Sequence, residues 1–188
     1  MTTHYIDLKV IPGPEISTTH LLGALYDRLH LALVQHRLET VGVSFPGYDL
    51  NPRTLGDTLR LHGDATTLQQ LHATDWLGGV RDHVRASGIT AAPAHAAHRT
   101  VQRKQFKTSV ERLRRRRMRR KGETEEQARA AIPSSVERHP DLPYVHLHSR
   151  STRQPYCLFI ALGAPQDAPR SGRFNSHGLS NQATVPWF

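Results

Sequence analysis

The sequence predicts an α+β fold, and three observations predict it. Alternating apolar segments are interleaved with leucine-striped segments over residues 1–95. A dense arginine run occupies the middle of the chain, and strand-like segments return after it. These features divide the chain into residues 1–95 and residues 96–188.

The N-terminal elements follow in order. His4 to Val10 alternates, with Ile6, Leu8 and Val10 facing one way and Asp7 and Lys9 the other, until Pro12-Gly13-Pro14 breaks the pattern. Ser17 to about Gln35 is helical, with Leu22, Leu25, Leu29 and Leu33 on one stripe. Val41, Val43 and Phe45 alternate as a strand closed by Pro46-Gly47, and Thr58 to His62 is a further strand with Leu59 and Leu61 inward. Thr66 to Leu77 reads as a second helix. The order β-α-β-β-α is one strand short of a ferredoxin-like (RRM-like) unit, which places the missing strand between Gly79 and Arg103.

Ala91 to Ala97 is small and Pro-containing and reads as a linker. The arginine helix is expected over about 108–121: Thr108 and Glu111 have capping-box spacing, and Gly122 ends it. Thr124 and Gln127 form a second capping box for a short helix stopping before Pro133. Tyr144–His148, Cys157–Leu162 and the terminal Val185-Pro-Trp-Phe188 are the expected C-terminal strands.

Charge points to the partner. The chain has 188 residues, 25 Lys/Arg against 16 Asp/Glu, a net charge of +9 and 37% hydrophobic residues. Twelve of the basic residues, with one acid, lie within residues 99–121, and seven of the nine residues Arg112–Arg120 are arginine. Such a concentration is the footprint of a polyanion-binding surface. Guanidinium forks suit phosphates and guanine edges better than lysine point charges do.

Composition also excludes. Cys157 is the only cysteine, which removes disulfide scaffolds and cysteine-based zinc or iron–sulfur sites. No run approaches the roughly 18 apolar residues of a spanning helix, so no membrane partner is expected. The start MTTHYIDLKV does not read as a signal peptide, and a cytoplasmic location is expected. No phosphate-binding glycine loop of the nucleotide-hydrolase type is present. His95/His98 and His146/His148 are the candidate metal pairs, but neither has a carboxylate at ligand spacing, so no metal and no cofactor is expected.

Taken in order, a set of segments resembles one family. HYIDLKV, Arg28-Leu-His30, Gly42-Val-Ser-Phe-Pro46, Glu111-Arg-Leu-Arg-Arg-Arg with Met118-Arg-Arg, Leu142-Pro143, Ser149-Arg-Ser-Thr152, Leu158-Phe-Ile160, Gly178-Leu-Ser180 and the terminal Val-Pro-Trp-Phe span nearly the whole chain. It resembles the CRISPR repeat-processing endoribonucleases of the type I-F subtype. The resemblance implies a ferredoxin-like domain followed by a part carrying an arginine-rich helix. It also implies binding of the repeat stem-loop in precursor crRNA and one metal-independent cut at the 3′ base of the stem. The mature crRNA would stay bound, within the type I-F surveillance complex and its other subunits. A non-catalytic structured-RNA-binding protein, or a transposon-associated variant of the same family, is the alternative.

Residue by residue, the resemblance implies that His30 is the catalytic histidine and that Ser149 holds the 2′-OH, with Ser151 as the alternative. His177 stands where the family carries a tyrosine supporting the histidine, so it is either a substitute support or a second acid–base group. Arg103 and Gln105 match a pair that reads base edges, arginine suiting guanine and glutamine adenine. Arg114, Arg115, Arg116, Arg119 and Arg120 are the expected phosphate contacts, and Tyr156 matches an aromatic stacking on the last base pair.

Overall fold

A computed structural model describes residues 2–105, 110–136, 141–149 and 154–188. In chain order the first elements are β1 (His4–Val10), α1 (Thr18–Gln35), β2 (Gly42–Ser44), β3 (Asp49–Leu50), β4 (Arg53–Thr54), β5 (Thr58–Gly63) and α2 (Ala65–Ala73). Then come β6 (Val84–Ala86), β7 (Thr90–Ala91), β8 (Ala97–Arg99) and β9 (Val101–Lys104). Helices α3 (Val110–Lys121) and α4 (Glu125–Ala131) precede β10 (Tyr144–His148), β11 (Pro155–Leu162) and β12 (Val185–Trp187).

The strand the sequence leaves unplaced is β6, which pairs antiparallel with the end of β1 while β7 pairs with its beginning. The main sheet runs β2-β5-β1-β6, every neighbouring pair antiparallel. With α1 after β1 and α2 after β5, this is the connectivity and strand order of a ferredoxin-like unit. The expected alternation survives: Ile6, Leu8 and Val10 are buried on β1. Ser17 caps α1 by accepting from the His20 amide, and Asp64 caps α2 through the Thr67 amide. Helix α2 ends at Ala73, four residues short of the expected Leu77, because Thr74 turns to extended backbone.

The chain forms two compact units, one of residues 1–104 with 142–188 and one of residues 105–141. This differs from the expected split at residue 95. Strands β9, β10 and β11 form their own sheet, yet α1 packs on β10 as well as on β1 and β5. Val145, Leu147, Leu158 and Ile160 therefore join the same apolar core as Leu25 and Leu29. Gly23 makes that approach possible: a Cβ there would meet the His146 carbonyl oxygen at 2.6 Å.

The stretch read as a linker is partly structured, since β8 pairs with β12. The C-terminal residues also help bury the opposite side of β5. There Arg60 forms a two-bond ion pair with Asp7, donates to the Phe188 carbonyl and lies 4.0 Å from the Phe188 ring centroid. Among the described residues no helix is long and apolar enough to cross a membrane.

In the second unit, the capping box of Thr124 and Gln127 is formed at the start of α4. Gly122 ends α3 with φ of 65° and its amide donating to the Met118 carbonyl. Thr108, the expected cap of α3, lies outside the described residues.

Candidate active site

Helix α1 delivers the first side chain. His30 sits one turn beyond the buried Tyr26, half-exposed, at the wall of a cleft of about 840 Å³. Asp27, Arg28, Arg103, His148, Ser149 and Tyr156 line the same cleft. The sequence-expected His30, Ser149, Arg103 and Tyr156, drawn from α1, β9 and the β10–β11 hairpin, are thus brought together. The hairpin closes just past His148, where the Ser149 amide donates to the Gln154 carbonyl. Ser151 lies outside the described residues.

The geometry around His30 assigns its ring nitrogens. Nδ1 is 2.7 Å from the Ser176 backbone carbonyl oxygen. A carbonyl only accepts, so Nδ1 carries the proton. In the neutral ring the lone pair is then on Nε2.

His177 completes the arrangement. Its ring stacks on His30, centroids 4.1 Å apart and 15° from parallel. Nε2 of His177 is 3.2 Å from the Tyr156 hydroxyl, and Nδ1 is 3.4 Å from Ser176 Oγ. Burial, then the neighbouring His30 and Arg103, push the His177 pKa down to about 4, so it is uncharged at neutral pH. Burial raises the Tyr156 pKa, so its phenol stays protonated, and its hydroxyl shares a hydrogen bond with His177 Nε2. Arg103 lies 5.9 Å from the Tyr156 ring centroid.

The turn that carries His177 is heavily tied. Asn175 Oδ1 accepts from the His177 and Leu179 amides, and the Gly178 carbonyl accepts from Val43 of β2. Gly178 has φ of 69°, and a Cβ there would meet Val43 at 2.6 Å. Sequence reasoning missed Asn175 and Ser176. The spacing of Asn175 and Gly178 is a turn signal, but Ser176 acts through a carbonyl that no side-chain pattern announces.

The arginines of α3 fall into two sets. Arg112, Arg115, Arg116, Arg119 and Arg120 are exposed and span an arc of roughly 140° at 100° per residue. Arg114 differs from the expectation of a phosphate contact: Nε and Nη2 donate to the Ile132 carbonyl and Nη1 to Glu111, leaving its side chain 11% exposed. Its guanidinium ties α3 to the end of α4. Arg117 is likewise paired, with Glu123. Gln105 is exposed. Among the described residues no group of three or more metal-ligating side chains occurs.

One ring nitrogen left for proton transfer, a serine and arginines in a single cleft define a class: an enzyme performing acid–base chemistry on an anionic substrate, as a nuclease does. A family model described as CRISPR-associated protein (Cas_Csy4) matches residues 5–188, and the chain belongs to that family. The CRISPR-associated endonuclease Cas6/Csy4 of Pseudomonas aeruginosa (strain UCBPP-PA14) is 43% identical, covering 98% of this chain and 99% of the relative. The protein of the same description from Escherichia coli (strain UTI89 / UPEC) is 40% identical over the same shares. The chain is accordingly an endonuclease. A solved structure described as an RAMP protein binding different RNA substrates covers 97% of this chain and 99% of its own, at 12% identity and a TM-score of 0.31.

Proposed function

We propose that the chain binds the CRISPR repeat stem-loop of precursor crRNA and cuts it once, at the 3′ base of the stem, without a metal ion. The observation that carries the mechanism is the His30 Nδ1 bond to the Ser176 carbonyl, which leaves Nε2 as the working nitrogen in the cleft. The RNA supplies its own nucleophile. The 2′-OH attacks the adjacent phosphorus, the bond to the 5′-oxygen breaks, and the products are a 2′,3′-cyclic phosphate and a 5′-OH. Ser149 holds the 2′-OH in line, and His30 moves a proton through Nε2.

His177 acts as a positioning residue. Neutral and bonded to Tyr156, it presents a ring face to His30 rather than a proton to the leaving group. Tyr156 stacks on the last base pair, while Arg103 and Gln105 read base edges. A-form RNA hides its bases in a narrow major groove, so the stem is gripped mostly by its phosphates, through Arg115, Arg116, Arg119 and Arg120. The protein stays on the mature crRNA in the cytoplasm and joins the other subunits of the type I-F surveillance complex.

The test is incubation with labelled repeat hairpins in excess chelator. Wild type should give one defined product with a cyclic phosphate end, and His30→Ala should bind without cutting. Cutting that persists in His30→Ala would overturn the mechanism, and binding without cutting by wild type would reduce the protein to a non-catalytic RNA binder.

A further inference from the structure

The turn at residues 175–179 does two jobs for His30, and its anchorage lies behind the cleft wall. It offers the Ser176 carbonyl to Nδ1 and lays the His177 ring on the imidazole face. Neither job is done by a group fixed by its own secondary structure, because the turn belongs to no helix or strand. What pins it on the side of α1 is Tyr26. This side chain is fully buried, and its hydroxyl donates to the His177 backbone carbonyl at 2.6 Å.

Tyr26 and His30 are one helical turn apart on α1, so both grip the same turn from one rigid element: Tyr26 by the carbonyl of residue 177, His30 by the carbonyl of residue 176. The Tyr26 ring is held in turn by Phe45, 5.8 Å away edge-on. On the other side of the turn the Val43 amide donates to the Gly178 carbonyl, and within the turn Asn175 Oδ1 accepts from the His177 and Leu179 amides.

We infer that Tyr26 is a positioning residue for the cleavage reaction, its hydroxyl holding the 175–179 turn so that His30 keeps its proton on Nδ1 and its lone pair on Nε2. The inference rests on the reading of His30 as the acid–base group. A buried hydroxyl is expensive to place without a partner, and this one is spent on a carbonyl whose neighbour sets the His30 tautomer. Without it, the His177 carbonyl loses its donor, the turn relaxes, and the Ser176 carbonyl drifts from Nδ1. His30 then populates the other tautomer, with the proton on Nε2 and the lone pair facing away from substrate.

The test is Tyr26→Phe, which removes one oxygen and keeps the ring packing. With a repeat hairpin as substrate, single-turnover cleavage should slow about tenfold while hairpin affinity stays within about twofold. Nitrogen-15 shifts of the His30 ring, recorded at mildly alkaline pH, should move from the Nδ1–H toward the Nε2–H tautomer. Asn175→Ala, which removes the turn's own internal hydrogen bonds, should shift the same signals the same way, and it decides the matter if Tyr26→Phe does not fold. Combined with His30→Ala, Tyr26→Phe should change the residual rate no further.

A wild-type rate with wild-type ring shifts in Tyr26→Phe would overturn the inference. So would a rate loss matched by an equal loss of affinity and thermal stability, which would mark a merely structural hydroxyl. Cleavage by His30→Ala alone would instead sink the underlying reading of the site.

Discussion

The imidazole rings of His30 and His177 lie face to face at 4.1 Å, and of the two only His30 keeps a ring nitrogen without a hydrogen-bond partner among the described residues. His177 spends its nitrogens on Tyr156 and Ser176, and burial keeps it uncharged. An unpaired stack of two imidazoles is ambiguous between relay and scaffold. The hydrogen bonds favour the scaffold.

His177→Tyr is therefore expected to retain cleavage within about threefold of wild type, since a phenol supplies a flat ring and a polar edge. His177→Ala removes the stack, whose worth is about 0.5–1.5 kcal/mol, and should slow cleavage by about three- to tenfold with hairpin affinity nearly unchanged. Single-turnover rates and binding isotherms measured side by side check both. A large loss in His177→Tyr would restore it as a proton donor.

Gly23→Ala tests the seating of α1 on β10. The added methyl would lie 2.6 Å from the His146 carbonyl oxygen, a backbone atom that cannot swing aside. Alanine is the better helix former, so an isolated helix would gain stability. In the folded protein the overpacking should cost about 1–3 kcal/mol and move His30 relative to Ser149. Denaturant unfolding should show the loss, and cleavage should fall more than affinity.

The two sets of arginines on α3 should separate in salt. Arg119→Ala removes an exposed cation and should lower the slope of log affinity against log salt by about 0.7–0.9. Arg114→Ala should leave that slope nearly untouched and instead loosen α4, because its guanidinium is engaged with Ile132 and Glu111. Hairpin binding measured across a salt series, with circular dichroism for helix content, distinguishes the two.

Acid should destabilise the fold through His62. It is fully buried on β5, with Nε2 2.7 Å from Ser44 Oγ and no partner for Nδ1 among the described residues. Burial, then Arg60 and His98, push its pKa down to about 3. The unfolded chain binds the proton near pH 6.5, so between there and about pH 3 it holds more protons than the fold. Stability is complete above that window and is lost as pH falls through it, by an amount on the order of 5 kcal/mol for this group. Thermal unfolding from pH 7 to pH 4 should show a falling midpoint, and His62→Gln should flatten the dependence. A wild-type slope in His62→Gln would place the acid sensitivity elsewhere.

Much of this was legible in the chain itself. Alternation in His4–Val10, the leucine stripe of α1 and the capping box at Thr124 are local signals, and each corresponds to a strand, a helix or a cap in the fold. The arginine cluster announced an anionic partner because charge density needs no fold to be read. The short β6 escaped notice because three residues paired along one edge leave no periodicity to detect.

By itself, then, the sequence determined the β-α-β-β-α order of the N-terminal elements, the basic segment and the residue types available for catalysis. Tertiary structure alone decided that α1 serves two sheets, that Arg114 turns inward, and which nitrogen of His30 carries the proton. Those outcomes depend on contacts between residues far apart in the chain, such as Tyr26 with His177 and His30 with Ser176. A backbone carbonyl belongs to every residue alike, so only its placement in space can give it a role.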